Sequence, residues 1–135
     1  MEDVIDRRLA AEHARDIDAI LATCAVDIEQ DVAGREPNLI RGHAALRSFY
    51  RDFFADIEYA RTTPVRRLAG PGFALDESVI EAVAHGRPFD LEGYGRPVRF
   101  RILRLFELRD GLIARESIWA DIASIQRQLA PPASA

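Results

Sequence analysis

Apolar and polar positions change their period along this chain, and the change separates helices from strands. Val4, Ile5 and Leu9 recur at helical spacing and predict a helix over residues 4–14. A second short helix is predicted over 16–23, with Asp16 placed to cap it and Ile17, Ile20 and Leu21 on its apolar side. Residues 27–32 alternate like a short strand, and 33–38, holding Gly34 and Pro37, read as a loop. A third helix is predicted from about His43 to Asp56, with Leu46, Phe49, Tyr50, Phe53 and Phe54 forming a wide aromatic stripe. Strands then follow over roughly 57–68, 73–85 and 97–108. Gly70-Pro71-Gly72 separates the first two, and a Pro/Gly-rich loop from Gly86 to Pro97 separates the second and third. A closing strand at 112–120 gives way at Asp121, a capping residue, to a helix through Leu129. Pro131-Pro132 ends regular structure, so 131–135 is expected to be a disordered tail after a single domain of residues 1–130.

Helices, then a run of strands, then a short helix is an α+β pattern, in which a curved antiparallel sheet covers one face with the early helices. The hairpin of 97–108 and 112–120 carries charges inside an apolar stripe. A three-residue turn with Gly111 in the left-handed conformation pairs Leu108 with Leu112, Phe106 with Ala114, Arg104 with Glu116 and Ile102 with Ile118. Those side chains share one face with Phe100 and Ala120. A two-residue Asp110-Gly111 turn instead sets Arg104 against Ser117 and Glu116 against Leu105, so the register stays open. Leu103 and Leu105 make the other face apolar as well, and Trp119 joins them. That surface meets either a second subunit, giving a homodimer, or the C-terminal helix.

Composition narrows the chemistry. The 135 residues are 48% hydrophobic and 30% charged, with net charge −4. Basic residues are spread along the chain, which argues against a nucleic-acid partner. No apolar run reaches the ~18–20 residues that cross a membrane, and Met1-Glu2-Asp3 is acidic, so neither export nor insertion is indicated and the cytoplasm is the expected location. All 18 basic residues are arginine, which removes lysine-based covalent chemistry and the lysine of a phosphate loop. The single cysteine, Cys24, excludes an internal disulfide and reads as core filler on a helix. The three histidines show no metal-ligand spacing, and His43 and His85 read as surface or capping residues. Neither a metal nor a cofactor is expected.

Three segments resemble the nuclear transport factor 2-like superfamily, in its SnoaL-like branch. Ile5 to Asp18 resembles the family's first helix and the break after it. Gly42-His43-Ala44-Ala45-Leu46-Arg47-Ser48-Phe49-Tyr50 resembles the third helix with its Phe-Tyr pair. Phe106-Glu107-Leu108-Arg109-Asp110-Gly111-Leu112-Ile113, continuing to Asp121 and Gln128-Leu129, resembles the SnoaL-like ending. The resemblance implies a cone: a cystatin-like curved sheet wrapped around N-terminal helices, with a pocket inside. Ketosteroid isomerases, polyketide cyclases and epoxide hydrolases share that fold. Against the isomerases, Asp31 matches the base, Arg8 replaces an oxyanion-donor tyrosine, Arg104 replaces a protonated aspartate, and Tyr50 matches a supporting tyrosine. Against the cyclases, Arg104 replaces a histidine and Ile118 replaces the catalytic aspartate. An epoxide hydrolase reading loses an acid at the same Ile118 position.

The candidate catalytic set is therefore Asp31 as base, with Arg104 held by Glu116 to stabilise developing negative charge. Tyr50, Phe53, Phe100, Ile102, Phe106, Ile118, His13 and Arg8 are the candidate substrate-binding residues. For His13, on the apolar side of the first helix, a satisfied core position is the alternative; for Arg8, an arginine reaching water. The expected ligand is a small apolar molecule with a polar head, and the expected chemistry is cofactor-free proton transfer of isomerase, cyclase or dehydratase type. A non-catalytic ligand-binding or dimerisation module is the alternative, and epoxide hydrolysis the less favoured one.

Overall fold

In the computed structural model, which describes residues 2–131, the helical and strand periods settle into four helices and one six-stranded sheet. Helix α1 (Glu2–Ala14) and helix α2 (Ile17–Ala22) come first, and the Asp16 carboxylate caps α2 by accepting from Ala19 N (3.1 Å). Strand β1 (Cys24–Val32) is followed by the three-residue β2 (Leu39–Arg41) and helix α3 (Gly42–Asp56). Strands β3 (Ile57–Gly70), β4 (Phe73–Ala84), β5 (Arg96–Arg109) and β6 (Leu112–Ala120) form a meander. Helix α4 (Ile122–Leu129) closes the chain, capped by Asp121 accepting from Ser124 N. The expected disordered tail falls mainly on residues 132–135, outside the described residues.

The strand order is β2-β1-β6-β5-β4-β3, with β1 and β6 parallel and every other pair antiparallel. One face of the sheet is buried under the helices and bears Ile80, Ala82, Phe100, Ile102, Phe106 and Ile113. The other leaves Val65, Leu68, Phe73 and Trp119 exposed. The sequence pattern missed β2, which is too short to show an alternation. It also placed Cys24 in a helix, whereas this buried residue opens β1.

The hairpin turn is the two-residue Asp110-Gly111 alternative, and the register beyond it is neither of the two considered. Asp110 (φ 53°) and Gly111 (φ 77°) are both left-handed, which makes a two-residue turn and pairs Arg109 with Leu112. Left at that, Glu116 would point out of the buried face. A bulge at Ala114 adds one residue to β6, so that Phe106 pairs with Glu116 and Arg104 with Ile118. The expected direct pairing of Arg104 with Glu116 is thus corrected to a diagonal one, on the expected face.

The loop between β4 and β5 folds back on its own base. Gly93 N and Gly95 N donate to the carbonyls of Gly86 and Ala84, and a Cβ at Gly93 would stand 2.3 Å from the Ala84 oxygen, so only glycine fits. At its tip a short 3-10 turn, Pro88–Asp90, holds Phe89 (φ 54°) and Asp90 (φ 61°) left-handed, a conformation that disfavours side chains beyond Cα. That turn carries the Phe89 ring inward against Phe53 and Phe100, with centroids 5.8 and 6.0 Å away.

Candidate functional site

Helix α1 turns Val4, Ile5, Arg8, Ala11 and Glu12 toward the sheet, an i, i+1, i+4, i+7, i+8 stripe with two charges in it. Arg8 is fully buried (0% exposed), and Glu12 is 4% exposed. Arg8 Nε donates to Glu12 Oε1 (3.1 Å), while its Nη2 donates to Tyr50 Oη on α3 (2.6 Å) and to Glu116 Oε1 on β6 (2.5 Å). Arg104 on β5 donates from Nη1 to both Glu12 oxygens (3.0 and 2.8 Å), and Tyr50 donates its hydroxyl to Glu12 Oε1 (3.2 Å). The same Arg104 nitrogen stands 3.9 Å from Glu116 Oε2. Two guanidinium groups and two carboxylates thus form one buried cluster with balanced charge.

Gln30 on β1 extends the cluster outward. Its Nε2 lies 3.4 Å from Glu116 Oε1 as donor, and its Oε1 accepts from Arg35 Nη1 (2.8 Å). Inside the cluster, the Arg104 Nε–H and Glu116 Oε2 are the two buried side-chain polar atoms left without a hydrogen-bond partner among the described residues. Burial opposes ionisation of Glu12, but Arg104 and Arg8 outweigh it and hold the carboxyl below its usual range. For Arg104, burial works against the charge, yet Glu12 and Glu116 leave the guanidinium more firmly protonated than usual. Burial also pushes the Tyr50 and Tyr59 hydroxyls above the ordinary tyrosine value, so both remain protonated donors.

Above this cluster lies an inner cavity of about 30 Å³, whose wall holds Glu12, Arg104, Tyr50 and Tyr59 among Val32, Phe49, Phe53, Phe54, Phe89, Ile102 and Ile118. Beyond it is an outer vestibule of about 370 Å³, edged by Arg35, Asp52, Asp56, Arg87 and Asp90. Val32, Phe49, Phe53 and Phe89 line both spaces and form the throat between them. Phe49 and Phe53 stack (5.3 Å, 17°), and Phe53 meets Tyr59 edge-on (5.9 Å, 89°).

Of the residues singled out in the sequence, Arg104, Tyr50, Phe53, Ile102 and Ile118 line the inner cavity. Glu116 and Arg8 lie in the charged cluster, Arg8 pointing inward and away from water. Phe106 is buried beside it, its ring 5.7 Å from the Arg104 guanidinium carbon, and Phe100 packs behind Phe89. Two placements are corrected. Asp31 points to the opposite side of the sheet, because Gln30 and Val32 take the inward positions of β1; its carboxylate accepts from Arg115 Nη2 (2.9 Å). His13 is exposed, hydrogen-bonded to Thr62 Oγ1 (2.6 Å), because the buried stripe of α1 runs through Arg8 and Glu12. Glu12, Gln30, Tyr59 and Phe89 were missed. The i, i+4 spacing of Arg8 and Glu12 on an otherwise apolar stripe was the available signal for the first.

Among the described residues no group of three or more His, Cys, Asp or Glu could hold a metal ion, and no helix is long and apolar enough to cross a membrane. No curated protein matches this chain significantly in sequence. Solved structures do match in fold. A putative polyketide cyclase from a Silicibacter species superposes with a TM-score of 0.83 at 21% identity, covering 96% of this chain and 95% of that one. A putative SnoaL-like polyketide cyclase from a Jannaschia species gives 0.83 at 15% identity over 96% and 92%. An LEH-like epoxide hydrolase of M. tuberculosis gives 0.74 at 19% identity over 94% and 86%. The SnoaL-like domain profile matches residues 5–116, most of the chain, and with the cone-like α+β architecture it establishes that this protein belongs to the SnoaL-like branch of the nuclear transport factor 2-like superfamily.

Proposed function

We propose that this protein binds a small apolar molecule with a polar head and moves a proton on it without a cofactor, in chemistry of isomerase, cyclase or dehydratase type. One observation carries the reading: Glu12 and Arg104 are the charged side chains on the wall of the inner cavity, and the rest of that wall is aromatic or aliphatic apart from the two tyrosine hydroxyls. Glu12 takes the base role that the sequence suggested for Asp31. When an α C–H bond breaks, its proton goes to a Glu12 oxygen and the electron pair moves to the carbonyl oxygen. The cluster then carries one net positive charge against the new enolate, so Arg8 and Arg104 stabilise the product of the transfer as one unit with Glu116.

The test is hydrogen exchange at the α carbon of 2-tetralone in deuterium oxide, followed by proton NMR. The protein is expected to accelerate exchange, and Glu12→Gln to reduce that acceleration by about 10²–10⁴-fold. Equal exchange with and without protein would remove proton transfer from the reading. A second reading, a ligand-binding module without turnover, is favoured by the hydrogen bonds that Glu12 already accepts from Arg8, Tyr50 and Arg104, which make it a weak base. Bound 2-tetralone without accelerated exchange would select it. The apolar surface around Trp119 (47% exposed) and Leu103 supports a homodimer, to be checked by light scattering, and the cytoplasm remains the proposed location.

A further inference from the structure

Two tyrosines line the inner cavity, and their hydroxyls are differently engaged. Tyr50 Oη accepts from Arg8 and donates to Glu12, so its one proton is already committed to the cluster. Tyr59, on β3, makes no hydrogen bond through its hydroxyl to any described residue, although its ring lines the same cavity. That hydroxyl is also not among the sealed polar atoms left without a partner, so it reaches open space. The ring is held in place, edge-on to Phe53 (5.9 Å) on one side and to His13 (6.3 Å) on the other. Position and register give it a fixed direction as well: Tyr59 pairs with Ala82, which is buried on the helix-covered face of the sheet.

Three consequences follow from that contrast. A hydroxyl that is protonated, rotatable and uncommitted is a donor looking for an acceptor. Glu12 and Arg104 lie close enough to bear on it electrostatically, so a ligand atom beside Tyr59 also feels the charged cluster. The family resemblance matches Tyr50 to a supporting tyrosine, and its hydroxyl is a structural tie between α1 and α3.

We propose that Tyr59, and not Tyr50, is the hydrogen-bond donor to the ligand's polar oxygen in the inner cavity. This rests on the proposed function only in requiring that a ligand's carbonyl end reaches the inner cavity, which has room for a polar head alone, while its apolar body lies in the throat and the 370 Å³ vestibule; it does not require turnover. As the oxygen gains negative charge in proton transfer, the Tyr59 O–H bond to it shortens and strengthens, the role of an oxyanion donor.

The experiment binds 2-tetralone to the wild-type protein and to the Tyr59→Phe and Tyr50→Phe variants, and reads the carbonyl stretch of the bound ketone by infrared difference spectroscopy. Thermal melting is recorded for each. Backbone NMR shifts at Phe53, in the throat, and Ile102, on the inner cavity, report that the ketone lies in the throat with its carbonyl end in the cavity. In wild type the stretch is expected to be red-shifted from that of the free ketone in an apolar solvent. Tyr59→Phe loses that shift with its melting transition preserved. Where exchange is measurable, the same variant loses about 10²–10³-fold in kcat, as when one oxyanion donor is removed. Tyr50→Phe keeps the red shift and lowers the melting temperature. A red shift unchanged in Tyr59→Phe, or lost only in Tyr50→Phe, overturns the assignment while leaving the cavity reading intact. No binding in wild type, or binding that leaves Phe53 and Ile102 unmoved, overturns the cavity reading and this assignment with it.

Discussion

Strand β6 contributes to two arginine–carboxylate clusters, one on each side of the sheet, built from nearly the same residue types. On the helix-covered side, Glu116 joins Arg8, Glu12 and Arg104, with all four side chains at most 5% exposed. On the open side, Arg115 joins Glu29 and Asp31, and Arg41 also reaches Glu29; here the Arg115 and Asp31 side chains are each 33% exposed and Arg41 is 70% exposed. Glu116 and Arg115 are sequence neighbours, so one residue of register decides which cluster each enters. The difference teaches where the chemistry lies. In the open cluster water competes for every charge, and each contact is worth little. In the buried one, desolvation is large and each charge is needed by the others. Removing one member therefore has different consequences on the two sides.

The largest break is expected from Arg8→Met. It keeps the length of an apolar side chain in the buried stripe but leaves Glu12 and Glu116 sharing one guanidinium, with Tyr50 losing its donor. Stripping one partner from a buried ion cluster typically costs about 3–5 kcal/mol. Urea denaturation followed by circular dichroism should show a loss of that size, and a loss below about 1 kcal/mol would mean that the buried cluster behaves like the open one.

Next in size is the pH response that Glu12 contributes. Its carboxyl is held below the ordinary 4.5, mainly by Arg104 and then Arg8 overcoming burial. A depressed folded value means that the unfolded state binds the proton first. The stabilisation is complete above the unfolded value and fades as pH falls through the lower folded one. Wild-type stability, read from denaturation midpoints, should therefore fall on acidification below about pH 4.5, and Glu12→Gln should show a shallower acid limb from a lower plateau. Identical acid slopes would place the responsible carboxylate elsewhere.

How far the sequence could carry this reading is visible in single residues. Periodicity located all four helices and the five longer strands, because each buries one face and repeats often enough to show it. The face of Arg104 and Glu116 was also legible, since alternation along each strand survives a change of pairing. Their pairing was not: the bulge at Ala114 has no composition signal, and the tighter turn and the extra residue each move the register by one in the same sense, a two-residue shift that keeps the face and changes the partner. On α1 the apolar residues alone suggested that Ile5 and Leu9 lead to His13. The actual stripe passes through Arg8 and Glu12, whose charges are tolerated only because groups far along the chain meet them: Arg104 and Glu116 balance them, and the Tyr50 hydroxyl hydrogen-bonds both. Nor could Phe89 be placed, since a left-handed phenylalanine at a loop tip follows from no local preference.

The smallest effect sharpens the comparison most, because it tests the one residue that family resemblance favoured as a base. Asp31→Asn removes a charge whose partner, Arg115, keeps Glu29 at 3.1 Å and remains in contact with water. Loss of such a pair is worth about 0–1 kcal/mol and shrinks with added salt. Exchange at the ketone α carbon should be unaltered within a factor of about two, since a factor of ten would need about 1.4 kcal/mol at the transition state. The backbone of β1 fixes this outcome: Gln30 and Val32 face inward, and Asp31 can enter the cavity only if the strand slips by one residue against β2 and β6 together, exposing Ile28, Gln30 and Val32 as it does so. Measuring Asp31→Asn beside Glu12→Gln in the same exchange assay separates the two faces directly. A large loss in the first with none in the second would mean that the proton leaves from the open side of the sheet.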